Sequence, residues 1–216
     1  MGESSTKVSF LINSLAGGGA ERVAVNLGEF LNVDKIFLLE RDVKYDFQKT
    51  EIILLSNHTN RTSPILKSLL IPVYAFKLSK NLRRDSVVVS FLERTNYVNI
   101  LSTFISKHKA IISVRTPQES SRNFFHPYNF LSRLLYPSAS FIVCVSKSIA
   151  RELEVHYGVP KEKLKVIYNP LDIDRIRYLM SEPILGYEKI FNFPTLINVG
   201  RLTKPKGAMV SHKNFQ

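Results

Sequence analysis

The chain of 216 residues has one cysteine, Cys144, nine glycines, and only 18 acidic residues against 30 lysines and arginines. A single cysteine excludes an internal disulfide. With no paired-histidine spacing beside it, it also leaves no metal cluster to read from the sequence. No stretch reaches the roughly 18 consecutive apolar residues of a membrane-spanning helix. The apolar start VSFLIN, after Lys7, is too short for a secretory signal and alternates like a strand. Internal repeats and low-complexity tracts are absent, which excludes solenoid and collagen-like architectures. Hydrophobic residues at 44% and charged residues at 22% are the balance of a globular domain with a sizeable core.

The charge of +12 is what stands out. Such a surface attracts phosphate groups, whether of nucleic acid, nucleotides or anionic lipid headgroups. No nucleic-acid-binding module is recognisable, so nucleic acid is not an expected partner. A generic basic surface, or a non-catalytic basic binding domain for membrane or nucleic acid, is the alternative at this point.

Apolar runs rich in Val, Ile and Phe lie at Val8–Ile12, Lys35–Leu39, Ile52–Leu55, Ser86–Phe91, Ala110–Val114, Phe141–Val145 and Lys165–Tyr168. Each has the length of a strand. Helical spacing separates most of them: Val23, Leu27, Phe30 and Leu31 share one face of Ala20–Leu31, and Tyr97, Ile100, Leu101, Phe104 and Ile105 share another. Near-continuous apolar strands alternating with helices predict an α/β fold, a doubly wound, Rossmann-like parallel sheet covered on both faces.

Three of the nine glycines, Gly17, Gly18 and Gly19, fall between the first predicted strand and the first helix. In a doubly wound fold that turn lies at the sheet edge where ligands bind. Glycine permits close backbone approach, and the helix behind it offers free N–H groups to an anion. A tight turn that binds nothing is the plain alternative. A dinucleotide fingerprint is half present: Gly17-x-Gly19 starts it and Glu40 stands near the position of a ribose-binding acid. Its third small residue falls on Arg22, so a nicotinamide-dependent oxidoreductase remains a secondary reading.

The stretch GGGAERVAVNLGEFL as a whole resembles the N-terminal segment of family 4 glycosyltransferases, enzymes of the GT-B fold. The segment VSKSIARELEVHYGVPKEKLKVIYNPLDID, Val145 to Asp174, resembles the same family's strand–helix–NP segment. FPTLINVGRLTKPKG, Phe193 to Gly207, resembles the first strand and phosphate loop of its second domain. The resemblance implies retaining transfer of a sugar from a nucleotide-diphosphate donor to a glycan or lipid-linked hydroxyl. No cofactor and no metal are implied beyond the donor itself. It also implies that Arg201 and Lys206 hold the donor diphosphate, with Gly18 and Gly19 approaching the donor from the other domain. Many relatives place a histidine where this chain reads Arg115-Thr116-Pro117, so no histidine-dependent step carries over. Arg115, at the end of the predicted fifth strand, is the one catalytic candidate.

Further candidates for the cleft are Gly17, Glu21, Arg22, Ser146 and Asn169. Glu21 suits the positive end of the first helix and Arg22 does not, which points to a partner for Arg22, a ligand or a salt bridge. Ser146 opens a helix and is read first as its N-cap, second as a ligand contact. Asn169-Pro170 ends a strand and shapes a crossover. His108 is expected at the surface, and His126 lies in a loop.

The expected organisation is a flexible N-terminus over 1–6, a Rossmann-like glycosyltransferase domain over 7–180, a linker over 181–192, and the first strand and phosphate loop of a second domain over 193–216. On the resemblance, the second domain is expected to be cut short and this chain alone to be an inactive fragment. TSPILKSLLIPVYAFKLSKNLRR, Thr62 to Arg84, reads as two short basic, apolar helices parted near Pro72. Such helices fit an anionic membrane surface, which leads to the expectation of a cytoplasmic protein peripheral at the inner face of the membrane; a sheet-covering helix with a solvated basic end is the plain alternative.

Overall fold

The computed structural model describes residues 7–45, 50–116, 127–183, 186, 188–195 and 197. The chain divides into two compact units, Met1–Pro170 and Leu171–Gln216.

The first unit holds a seven-stranded sheet: β1 (Val8–Ile12), β2 (Lys35–Leu38), β3 (Glu51–Leu54), β4 (Val87–Phe91), β5 (Lys109–Val114), β6 (Phe141–Cys144) and β7 (Leu164–Val166). Every pairing is parallel, in the order β3-β2-β1-β4-β5-β6-β7. The doubly wound sheet is therefore the expected one, and each strand falls on its apolar run to within two residues. Alternation along β1 feeds two cores. Phe10 and Ile12 pack with Ala24 and Val25 of α1 (Gly19–Phe30), while Leu11 joins the larger cluster on the opposite face. That cluster is built on Tyr74 and Leu78 of α3 (Ile71–Ser79), Val98 and Ile100 of α4 (Glu93–Ser106), and Leu153 of α6 (Lys147–Tyr157). Burying strands on both faces is what makes their sequences near-continuously apolar.

The basic, apolar stretch forms α2 (Pro64–Leu69) and α3, parted at Leu70 with Pro72 in the first turn of α3, where a missing N–H costs nothing. The stripes on α1 and α4 are shorter than their spacing implies. Phe30 is 87% exposed, and Phe104 and Ile105 are also exposed. On α4 the place of an apolar face is partly taken by Asn96 and Asn99. Asn96 Nδ2 donates to the Ser113 carbonyl at 3.1 Å and Asn99 Nδ2 to the Val88 carbonyl at 3.0 Å, tying the helix to β4 and β5. His108 is not at the surface. It is buried, with Nε2 2.9 Å from Asn99 Oδ1 and Nδ1 2.7 Å from Ser106 Oγ, and burial lowers its pKa to about 4.

In the second unit, α7 (Ile173–Met180) is capped by Asp172, whose carboxylate accepts from the Arg175 N–H at 2.9 Å. Among the described residues no helix is long and apolar enough to cross a membrane.

Candidate functional site

From β1 the chain moves outward to β2 and β3, then returns to the other side of β1 for β4. The sheet order reverses there, and a crevice opens beyond the carboxyl ends of β1 and β4. A cleft of about 290 Å³ occupies this position. Its wall is made by residues that immediately follow strands: Asn13 after β1, Leu92 to Arg94 after β4, and Arg115 and Thr116 after β5. Tyr128 of α5 (Pro127–Leu135) and Tyr136 close it.

Two of the three glycines have a structural reason and the third has none. Gly17 has φ +107°, a backbone that residues with a side chain rarely adopt. A Cβ on Gly18 would lie 2.2 Å from Glu21 Oε2, so the glycine makes room for a carboxylate folded onto its backbone. Gly19 opens α1, and a Cβ there would meet nothing within 4 Å.

Glu21 also acts electrostatically on Arg115. Burial lowers the Arg115 pKa and the Glu21 charge partly offsets that. The Arg115 guanidinium donates to Asn169 Oδ1 at 2.5 Å. Gly18, Glu21, Arg115 and Asn169 are thus joined at one sheet edge although 151 positions separate the first from the last. Arg22 stands apart from this group, with its guanidinium over the Tyr45 ring at 5.7 Å, a cation–π contact that supplies its partner. Ser146 is the N-cap of α6, accepting from the Ile149 N–H at 3.3 Å. Arg201, Lys206 and His126 lie outside the described residues.

The other half of the cleft wall was not read from the sequence. Leu92 has φ 79° and ψ 156°, a region populated almost only by glycine. Glu93 follows on the wall, and Arg94 next to it is drawn into a buried ion cluster. Glu40 Oε1 takes Arg94 Nη1 at 2.7 Å and Lys67 Nζ at 3.0 Å. Glu40 is therefore committed to two cations inside the fold and is not offered to a ribose. A signal existed for Glu93: in a parallel sheet the residues that follow a strand are carried to the ligand edge, and Glu93, two places after VVVSF, opens the next helix.

Residues 17–175 match the sequence profile of Glycosyltransferase Family 4. The chain belongs to this family. A curated relative from Campylobacter jejuni is 31% identical over 211 residues, covering 93% of this chain and 56% of its own length. It is named N-acetylgalactosamine-N,N'-diacetylbacillosaminyl-diphospho-undecaprenol 4-alpha-N-acetylgalactosaminyltransferase. Among solved structures, Anabaena Alr3699/HepE in complex with UDP is similar with TM-score 0.58 and 17% identity, over 81% of this chain and 50% of that one. The lipopolysaccharide outer core galactosyltransferase WaaB is similar with TM-score 0.55 and 15% identity, over 78% of this chain and 47% of that one. At these identities the structural likeness shows the GT-B half-fold alone. The chain spans about half the length of the proteins it matches.

Proposed function

We propose that this Family 4 chain supplies the acceptor-side wall of a retaining glycosyltransferase, which moves a sugar from a nucleotide-diphosphate donor to a glycan or lipid-linked hydroxyl. The observation that carries the reading is the cleft at the sheet reversal, walled by the residues following β1, β4 and β5, in a chain of this family. The Campylobacter relative, named for a transfer onto a diphospho-undecaprenol-linked glycan, supports the acceptor class. In this reading Gly18 and Gly19 bring backbone N–H groups toward the donor, and Arg201 and Lys206 hold its diphosphate. Fixed positive groups stabilise the leaving diphosphate because they need no reorganisation as charge develops. Arg115, held by Asn169 and facing Glu21, is the cation of this wall nearest that task. The chemistry needs no metal or cofactor besides the donor.

The test is transfer of radiolabelled sugar from a panel of UDP-sugars to a diphospho-undecaprenol-linked N-acetylgalactosamine acceptor by a two-domain protein that carries this sequence as its N-terminal half. Label in the lipid fraction as an α-linked product is expected. Hydrolysis or no turnover with every donor, together with tight NAD binding by calorimetry, would overturn it in favour of an oxidoreductase.

We place the protein at the inner face of the membrane. The support is α2 and α3, which expose Ile65, Leu69 and Phe76 beside the exposed Lys80, Arg83 and Arg84. Sedimentation with anionic liposomes that falls as salt rises is the expected result, since salt screens surface attraction. Equal binding to neutral liposomes, or binding to neither, counts against it.

A further inference from the structure

The last strand of the sheet leaves the core open at one end. β7 pairs with β6 on one side and stands at the end of the strand order. In register, Leu164 lies beside Ile142 and Val166 beside Cys144. Ile142 and Cys144 are fully buried in the larger cluster, whereas Val166 is 37% exposed. The apolar rows of the core therefore run out to the sheet edge and meet solvent there.

The backbone is open at the same residues. The Ile167 N–H donates to the Cys144 carbonyl at 3.0 Å, on the β6 side. Backbone groups point to alternate sides along a strand, so the Val166 N–H and the Leu164 and Val166 carbonyls point away from β6, toward the free edge. The Leu164 N–H is turned back to the Lys161 carbonyl.

Beside this edge a groove of about 690 Å³ lies between β7 and α6. Its apolar lining is Ala150 and Val155 of α6 with Leu164 and Val166 of β7. Lys147 and Arg151 share that face of α6 at helical spacing, and Lys161 adds a third cation from the turn before β7. Among the described residues none of the three forms an ion pair, and one carboxylate, Glu154, lines the groove with them. Lysines on an edge strand itself serve to keep other strands away. Lys165, over the Phe141 ring at 5.9 Å, has that place. Lys147 and Arg151 do not, because they come from the helix across the groove. The groove shares no residue with the cleft at the sheet reversal.

We propose that this groove takes an extended acidic segment of another protein, which adds a strand to β7 while its carboxylates face Lys147, Arg151 and Lys161. Strand addition draws affinity from main-chain hydrogen bonds and specificity from the side chains at alternate positions, which here fall on the apolar lining. A second copy of this chain fits poorly. The protein carries a net charge of +12, and joining two such edges sets cations against cations. An anionic lipid surface matches the charge but offers no strand to the free backbone groups of β7.

The experiment is nitrogen–proton correlation NMR on the chain of 216 residues. The probe is a capped peptide that alternates glutamate and valine over about six residues, an ordinary strand length. Shifts confined to α6 and residues 161–167, with affinity falling as salt rises, are expected. Arg151→Glu/Lys161→Glu should raise Kd at least about tenfold. Arg83→Glu/Arg84→Glu, the same change of net charge on exposed residues elsewhere, should leave Kd within about twofold. Val166→Pro should also weaken binding, since proline removes an edge N–H and spares the bonds to β6. Far-UV circular dichroism like the parent's shows that the variants remain folded. No shifts, equal binding of a peptide alternating lysine and valine, or parent affinity in either Arg151→Glu/Lys161→Glu or a folded Val166→Pro overturns the proposal. The same residues shifting with phosphatidylglycerol vesicles but not with the peptide gives the face to a membrane and overturns it too. Shifts there on raising protein concentration alone, with no peptide binding, give it to a second copy and do the same.

Discussion

Lys67 and Glu40, 27 residues apart, form an ion pair at 3.0 Å in which both side chains are more than nine-tenths buried. Arg94 joins the same carboxylate oxygen at 2.7 Å. Burying charge is costly unless each group is paired and hydrogen-bonded, and Lys67 adds a bond to the Thr59 carbonyl at 3.2 Å. Removing the shared anion leaves two cations facing each other. Glu40→Gln should therefore cost about 3–5 kcal/mol. Removing one cation with it, as Glu40→Gln/Lys67→Met, should cost less than the single change. Urea unfolding of both variants decides this, and a double variant no more stable than the single would show that the cluster is not held by charge.

His108 gives the fold a pH dependence. Its pKa is lowered from 6.5 to about 4 by burial. Below 6.5 the unfolded chain takes up a proton that the folded chain refuses until about pH 4. In that window the unfolded state binds more protons, so stability rises with pH and is fully present only above 6.5. The difference across the window is about 3 kcal/mol. Replacing the imidazole, as His108→Gln, should flatten the stability curve between pH 4 and 6.5. The check is urea midpoints at half-unit steps, and an unchanged slope would mean that other groups set it.

Leu92 should favour glycine. At an ordinary position glycine is less stable than alanine, because its unfolded chain is freer. At φ 79° and ψ 156° the order should invert, Leu92→Gly being more stable than Leu92→Ala by about 1–3 kcal/mol. Both variants lose the same side chain, so the comparison isolates the backbone. Alanine equal to or better than glycine would show that the turn relaxes freely.

The legible parts of the fold are those decided by local pattern. Strands buried on both faces announce themselves as Val- and Ile-rich runs, and Ser146 was readable as a cap because capping spans three residues. The pairing of Arg115 with Asn169 was not readable, since it depends on which strand ends the sheet order brings together. Lys67 and Lys77 illustrate the same limit. In sequence both belong to a solvated basic stretch, but Lys67 turns inward to Glu40 and Lys77 Nζ donates to the Leu55 carbonyl at 2.9 Å. Long lysine stems reach buried acceptors that no spacing rule reveals. Leu92 was hidden for the opposite reason: the strained residue there is not a glycine, so nothing in its identity marks the turn.

The three adjacent glycines should answer differently to alanine. Gly17→Ala should cost about 1–2 kcal/mol although its Cβ would meet no atom within 4 Å, because φ +107° is strained for any L side chain. Gly19→Ala should be neutral or stabilising by up to about 1 kcal/mol, since it places a better helix former at an unobstructed helical position. Gly18→Ala lies between them and depends on Glu21. The atom in its way is the far end of a flexible side chain, so the carboxylate swings aside at small cost to stability and leaves its seat facing Arg115. Repeating Gly18→Ala in a Glu21→Ala background removes the obstruction and should abolish the residual cost. That coupling is measurable as a double-mutant cycle in urea. Equal costs at all three glycines, or a Gly18 cost indifferent to Glu21, would mean that the loop is a flexible spacer and that the carboxylate is not held against it.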